Sequence, residues 1–207
     1  MDIAIIGAGP VGAALGGSFA KAGRTVAYGV RNPGDPKYAS LIGGRASVLG
    51  IHEAAASAGV VFLAVPWQSV PEALAACGGL GGKILVDCTN PIKADFSGLQ
   101  IGQTTSGGEV VASLAKGALV VKCFNQTGFA NMADSAYEGH KPIMFAAGDD
   151  ENAVRIVAGL AREIGFDAVP MAGLDRSRQL EQLAWLWIDL AVNQGLGRDI
   201  AFALMRR

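Results

Sequence analysis

Short, unbroken apolar runs recur along this chain, separated by longer amphipathic stretches. The runs are IAII at 3–6, TVAYGV at 25–30, GVVFLAVP at 59–66, KILVDC at 83–88 and ALVVKCF at 118–124, with further runs at 142–147 and 166–171. Their continuity predicts strands covered on both faces, because a half-exposed strand would alternate polar and apolar residues. Residues 46–50 suit a short edge strand, and the turn-rich piece 32–45 suits a loop holding a short helix at 39–42. Between the runs, residues 13–21, 52–58 and 69–77 read as helices. Ser106 and Glu109 form a capping box ahead of an apolar face of Val110, Val111 and Leu114. Asp149 or Asp150 caps a helix with Ala153, Ile156, Val157, Leu160, Ala161 and Ile164 on one face, stopped at Gly165. Strands alternating with helices predict an α/β fold, a doubly wound, mostly parallel sheet with right-handed crossovers.

The first run ends directly in Gly7-Ala8-Gly9-Pro10-Val11-Gly12, the spacing GxGxxG between a strand and a helix. That is the dinucleotide fingerprint of a Rossmann-type fold. Gly7 allows a tight turn, Gly9 admits a pyrophosphate close to the backbone, and Gly12 lets helix and strand approach. Pro10 fits the first helical turn, where its missing N–H is not needed, and the helix N-terminus favours phosphate. The end of the second strand decides the cofactor. An acidic residue there would bind a free ribose hydroxyl, but this chain has Val30, then Arg31 and Asn32. A guanidinium with no carboxylate at the strand end favours the 2′-phosphate of NADP, and Lys37 can add a second positive charge.

Composition narrows the classes. With 51% hydrophobic and 17% charged residues, the chain of 207 is expected to be one globular domain rather than disordered. A net charge of −1 gives no footprint for nucleic acid and no reason to expect a membrane surface. The first strand follows the N-terminus at once, so no signal peptide is expected, and the odd set Cys77, Cys88 and Cys123 suits reduced thiols in the cytoplasm.

The last stretch differs from the rest. Residues 179–191 carry leucines, Ile188, Trp185 and Trp187 nearly all round, a pattern that must be covered by the chain itself or by a second subunit. The expected division is an NADP-binding domain over 1–173 and a short helical C-terminal extension over 174–207 packed on it, with a homodimer formed through the extension.

Four strand ends, 7–12, 64–67, 88–91 and 123–127, converge on one cleft. None brings a nucleophile, a general base or a metal set, and His52 and His140 lie elsewhere; Asp87 reads as a turn or cap residue. Hydride transfer to a ring that stabilises its own charge needs alignment more than acid–base help. Oxidation of an alcohol would call for a positioned base. A binding-only alternative, an NADP(H) sensor, would keep the fingerprint and Arg31 but needs no open pocket for a second ring.

GAGPVG, VRNP, LAVPW, DCTNPI, KCFNQTGFANM and MFAAGDD, in this order, resemble the coenzyme F420-dependent NADP oxidoreductase family over nearly the whole chain. The resemblance implies hydride exchange between NADPH and a deazaflavin, coenzyme F420, as the small-molecule acceptor; a flavin or another small oxidant is the alternative acceptor. It places the 2′-phosphate near Val30, Arg31, Asn32 and Lys37. It places the nicotinamide near Ala64, Val65, Pro66, Trp67, Asn90, Pro91, Phe124 and Asn125. One departure is Val30, where archaeal members carry a hydroxyl residue before the arginine.

Overall fold

The computed structural model describes residues 2–102 and 104–207; Met1 and Gln103 lie outside the described residues. Among the described residues, eight strands form one sheet in the order β3-β2-β1-β4-β5-β6-β7-β8. They are β1 (Ile3–Ile6), β2 (Val26–Val30), β3 (Ala46–Gly50), β4 (Val60–Leu63), β5 (Ile84–Asp87), β6 (Leu119–Lys122), β7 (Ile143–Gly148) and β8 (Asp167–Ala172). The first six are parallel in the order 3-2-1-4-5-6, that of a dinucleotide-binding fold. Each apolar run predicted as a strand is one.

Period-two alternation sends successive side chains of each strand to opposite faces, so both faces need cover. Ile3, Ile5, Val60 and Phe62 join one core with Leu15 and Phe19 of α1 (Pro10–Lys21), Met132 of α5 (Phe129–Ala133) and Val157 and Leu160 of α6 (Glu151–Glu163). Four phenylalanines, Phe19, Phe62, Phe124 and Phe166, meet there with neighbouring ring centroids 5.2–6.2 Å apart. Ala4, Ile6, Val61 and Leu63 join the second core with Ala54 of α2 (Ile51–Ser57), Leu74 of α3 (Val70–Cys77) and Val111 of α4 (Gly107–Leu114).

Local signals explain the boundaries. Helix α1 starts at Pro10, earlier than its apolar pattern suggests, because proline suits the first turn and Gly9 supplies the extended cap. Ser106 caps α4 by accepting the Glu109 N–H at 3.2 Å. The predicted apolar face of that helix is narrower than expected: Val111 is buried, but Leu114 is 45% exposed. Glycines at 107 and 108 take the place of a wider apolar stripe, letting α4 lie close to its neighbours. Asp150 caps α6, while Asp149 accepts the Leu174 N–H.

Strand β7 runs antiparallel to β6 and carries β8 parallel to itself. Beyond the end of β6 the Gln126 side chain acts as a strand substitute: its Nε2 donates to Phe145 O and its Oε1 accepts from Phe145 N–H, both at 2.9 Å. Helix α7 (Ser177–Ile188) buries Leu180, Glu181, Ala184 and Trp187 against its own chain and continues into a π-helical turn over Asp189–Asn193. The tail after it is tied back by Trp187 Nε1 and Asn131 Nδ2, both donating to Ile200 O at 2.8 Å, and by Ile143 N–H donating to Phe202 O at 2.8 Å. No helix is long and apolar enough to cross a membrane among the described residues.

Candidate functional site

Strand order reverses between β1 and β4, and the loops leaving these strands diverge there to open a crevice at the carboxyl ends. A cavity of about 730 Å³ fills it. Of the sequence-predicted residues, Gly7, Ala8, Gly9, Pro10, Val11, Val30, Arg31, Ala64, Val65, Pro66, Trp67 and Asn90 line this cavity. On the outer side Tyr38 and Ile92, which sequence reasoning missed, line it together with Lys93 and Phe96. Residues 92–99 form a small hairpin closed by an Ile92–Leu99 bridge, with Phe96 at a φ of 55° and 60% exposed.

The glycine turn is shaped for a ligand. Gly7 has a φ of 102°, a conformation that side chains disfavour. Gly12 lies inside α1, where a Cβ would collide with the Gly7 carbonyl; its work is packing, and it does not line the cavity. Around Gly9 a Cβ would meet no atom within 4 Å, so the space above that backbone is open. Ala13 N–H is bonded to Gly9 O, and the amides before it are left free, as at every helix start.

At the other end of the groove, Arg31 leaves β2 with its side chain 79% exposed, its nearest acidic partner being Glu72 at 3.8 Å. Asn32 and Lys37 stand outside the cavity lining. Asn32 O accepts the Asp35 N–H in a turn, and Lys37 is paired with Asp35 at 2.8 Å, with its ammonium 4.9 Å from the Tyr38 ring. The hydrogen bond from Lys37 holds the Asp35 carboxyl below the usual carboxylate range and raises the lysine in return.

Phe124, Asn125 and Pro91 sit behind the wall rather than on it. Phe124 turns its ring into the aromatic cluster with a φ of 59°, and its N–H points at Met144 Sδ, 3.2 Å away. Asn90 Nδ2 donates to Asn125 O at 2.8 Å, and Asn125 Nδ2 donates to Asn90 Oδ1 at 2.9 Å. Asn125 therefore serves to fix the side chain of Asn90. Trp67 is held by Nε1 donating to Gln100 Oε1 at 3.1 Å.

Burial governs the thiols near the cleft. Burial raises the Cys88 thiol well above its usual range, with the Asp87 charge adding to the effect, so it stays protonated. Burial likewise pushes Cys77 up to about 11. His52 Nδ1 lies 3.1 Å from Cys77 O, joining α2 to the end of α3. Among the described residues, no group of three His, Cys, Asp or Glu side chains is arranged to hold a metal ion.

Asp87 does make the predicted turn, its Oδ1 accepting Thr89 N–H at 2.9 Å and the Thr89 hydroxyl at 2.7 Å. It is also ion-paired, which sequence reasoning missed: Lys122 Nζ lies 2.7 Å from Asp87 and 2.8 Å from Glu181, all three side chains being fully buried. The signal was present. ILVD and LVVK each place a charge after three apolar residues, and the parallel register aligns Asp87 with Lys122.

Comparison with known proteins agrees with this geometry. The family model described as NADP oxidoreductase coenzyme F420-dependent matches residues 2–91. A solved structure from Arthrobacter sp. FB24, a candidate F420-dependent NADP-reductase, is 30% identical and superposes with a TM-score of 0.89, covering 100% of both chains. The hypothetical protein SMa0349 of Sinorhizobium meliloti is 28% identical, with a TM-score of 0.78, over 100% of this chain and 96% of that one. The metalloreductase STEAP3 of Rattus norvegicus is 29% identical over 181 residues; the match takes in 87% of this chain, which spans only 36% of that relative's length. A reductive aminase of Aspergillus terreus, solved with NADPH, shares the fold at 20% identity and a TM-score of 0.69, over 94% of this chain and 62% of that one.

Proposed function

Because the chain belongs to the family of coenzyme F420-dependent NADP oxidoreductases, we propose that it transfers a hydride between NADPH and a flat redox ring, either coenzyme F420 or a flavin. One observation carries the reading. A single continuous cavity runs from the cationic Arg31, past the open backbone of Gly9, to a wall of Pro66, Trp67 and Asn90. Bound along it, NADPH would supply the hydride from its nicotinamide ring.

The residues present suit that ligand. Arg31 would hold the 2′-phosphate, and the amides at the start of α1 would hold the pyrophosphate. Pro66, Trp67 and Asn90 would fix the plane of the nicotinamide and exclude water from one side of it. Alignment then accounts for rate, and no side chain here needs to give or take a proton. We also propose that residues 174–207 act as an extension of the same domain and that two copies pair through it. Leu186, Val192 and Leu196, respectively 47%, 54% and 59% exposed, support this pairing. Sedimentation showing only monomer at micromolar concentration would remove it.

The test of function is anaerobic oxidation of NADPH monitored with coenzyme F420, with flavin mononucleotide and with no acceptor. Turnover with one of the two rings is expected. Tight NADPH binding without oxidation by either would favour the alternative, an NADP(H) sensor, which leaves the Trp67–Asn90 end of the cavity without a use.

A further inference from the structure

The cluster of Asp87, Lys122 and Glu181 lies directly behind the cleft wall with no solvent exposure. All three protons of the Lys122 ammonium have acceptors: Asp87 Oδ2 at 2.7 Å, Glu181 Oε1 at 2.8 Å and the Thr89 carbonyl at 2.7 Å. Asp87 Oδ1 takes the remaining two polar groups of Thr89. Every polar atom of Thr89 is therefore held by the Lys122–Asp87 pair, and Thr89 with Asn90 lines the cavity.

Glu181 brings in the C-terminal helix. Its two oxygens accept the N–H groups of Gly107 and Gly108 at 2.9 and 3.0 Å, at the start of α4. A second link runs parallel to the first: Asn125, which grips Asn90, also donates to Leu180 O of α7 at 3.3 Å. Apolar side chains would pin α7 to the sheet at least as well, because burying charge carries a desolvation cost. What ions add is direction, since each oxygen and proton must meet a particular partner.

We propose that Lys122, with Asp87 and Glu181, is a positioning residue for hydride transfer. It sets the Thr89–Asn90 segment at the nicotinamide end of the cleft and makes that setting depend on α7. The inference rests on the reading of the cleft given above.

The test uses Glu181→Gln, which keeps shape and leaves the Lys122–Asp87 pair, and Asp87→Asn, which still accepts from Thr89. Folding is checked by circular dichroism. Binding is measured for NADPH and for 2′-phospho-ADP-ribose, which lacks the nicotinamide, and the emission of the bound reduced nicotinamide is recorded. Affinity for 2′-phospho-ADP-ribose should stay within about twofold of wild type. The nicotinamide emission should move toward that of free NADPH, and turnover should fall by about ten- to a hundredfold, the scale of a misplacement near 1 Å, with little change in KM. A folded variant with wild-type emission and turnover would overturn the proposal. So would equal loss of both ligands, the mark of a purely structural role. Wild-type protein that binds neither ligand would instead overturn the reading of the cleft.

Discussion

Gly12 lies so close to the Gly7 carbonyl that a methyl group at its Cα would come within 2.0 Å of that oxygen. Gly9, between them in sequence, faces open space. The three glycines of one motif therefore predict different failures. Gly12→Ala should destabilise the fold by about 1–3 kcal/mol or more through overpacking. Gly9→Val should leave the melting temperature near wild type while weakening NADPH binding at least about tenfold, because its side chain fills the space a pyrophosphate needs. Thermal denaturation and NADPH titration of both variants separate the two outcomes.

Arg31 and Glu72 predict how the cofactor is chosen. With Arg31 ending β2, NADPH should bind at least about tenfold more tightly than NADH, a difference of about 1.4 kcal/mol. Arg31→Ala should remove most of that preference and leave NADH binding nearly unchanged. Glu72, 3.8 Å away and also exposed, competes for the guanidinium. Glu72→Gln should therefore strengthen NADPH binding by about two- to fivefold, the scale of an exposed ion pair, and the gain should shrink in high salt. Equal affinities for the two cofactors in the wild type would defeat the assignment.

Lys122 gives a stability prediction of known sign. Burial draws the ammonium down, but the facing Asp87 and Glu181 charges outweigh it, so the group stands above the usual lysine range. A raised folded value means that the stabilisation is complete below the unfolded value and is lost as pH rises through the folded one. Unfolding free energy should therefore fall on the alkaline side of the lysine range. Lys122→Met, leaving two buried carboxylates uncompensated, should cost about 3–5 kcal/mol in denaturant titrations.

Glu109 acts at the other end of the scale. The hydrogen bonds from Arg178 hold its carboxyl below the usual range against a smaller effect of burial. A depressed value contributes stability above the unfolded value and loses it as pH falls through the folded one. Melting temperature should drop on the acid side of the carboxylate range, and Glu109→Gln should flatten that part of the profile. An unchanged acid limb in the variant would show that other carboxylates dominate.

Much of this was legible in one dimension because local rules act locally. Short apolar runs rich in β-branched residues and bounded by turn signals read as strands covered on both faces, and GAGPVG between a strand and a helix needs no distant partner to be read. Arg31 was readable for the same reason, its position being counted from the fingerprint. Phe124 and Asn125 were not. Their side chains follow from Phe124 adopting a φ of 59°, which turns the ring into a cluster with Phe19, Phe62 and Phe166, residues far apart in sequence. The apolar character of α7 was legible, but not that Glu181 on it would be fully buried beside Leu180.

The sequence by itself determined the order of strands and helices, the glycine turn that opens α1, and a basic rather than acidic end to β2. These depend on residue periodicity and backbone preference over a few neighbouring positions. Tertiary structure alone decided which groups share the charged cluster behind the cleft. Asp87, Lys122 and Glu181 meet only because the sheet register sets β5 beside β6 and the chain returns through α7 to lay a carboxylate on the same ammonium. A charge is buried only where opposite charges from other elements arrive with it, and that is a property of how the elements pack rather than of any one of them.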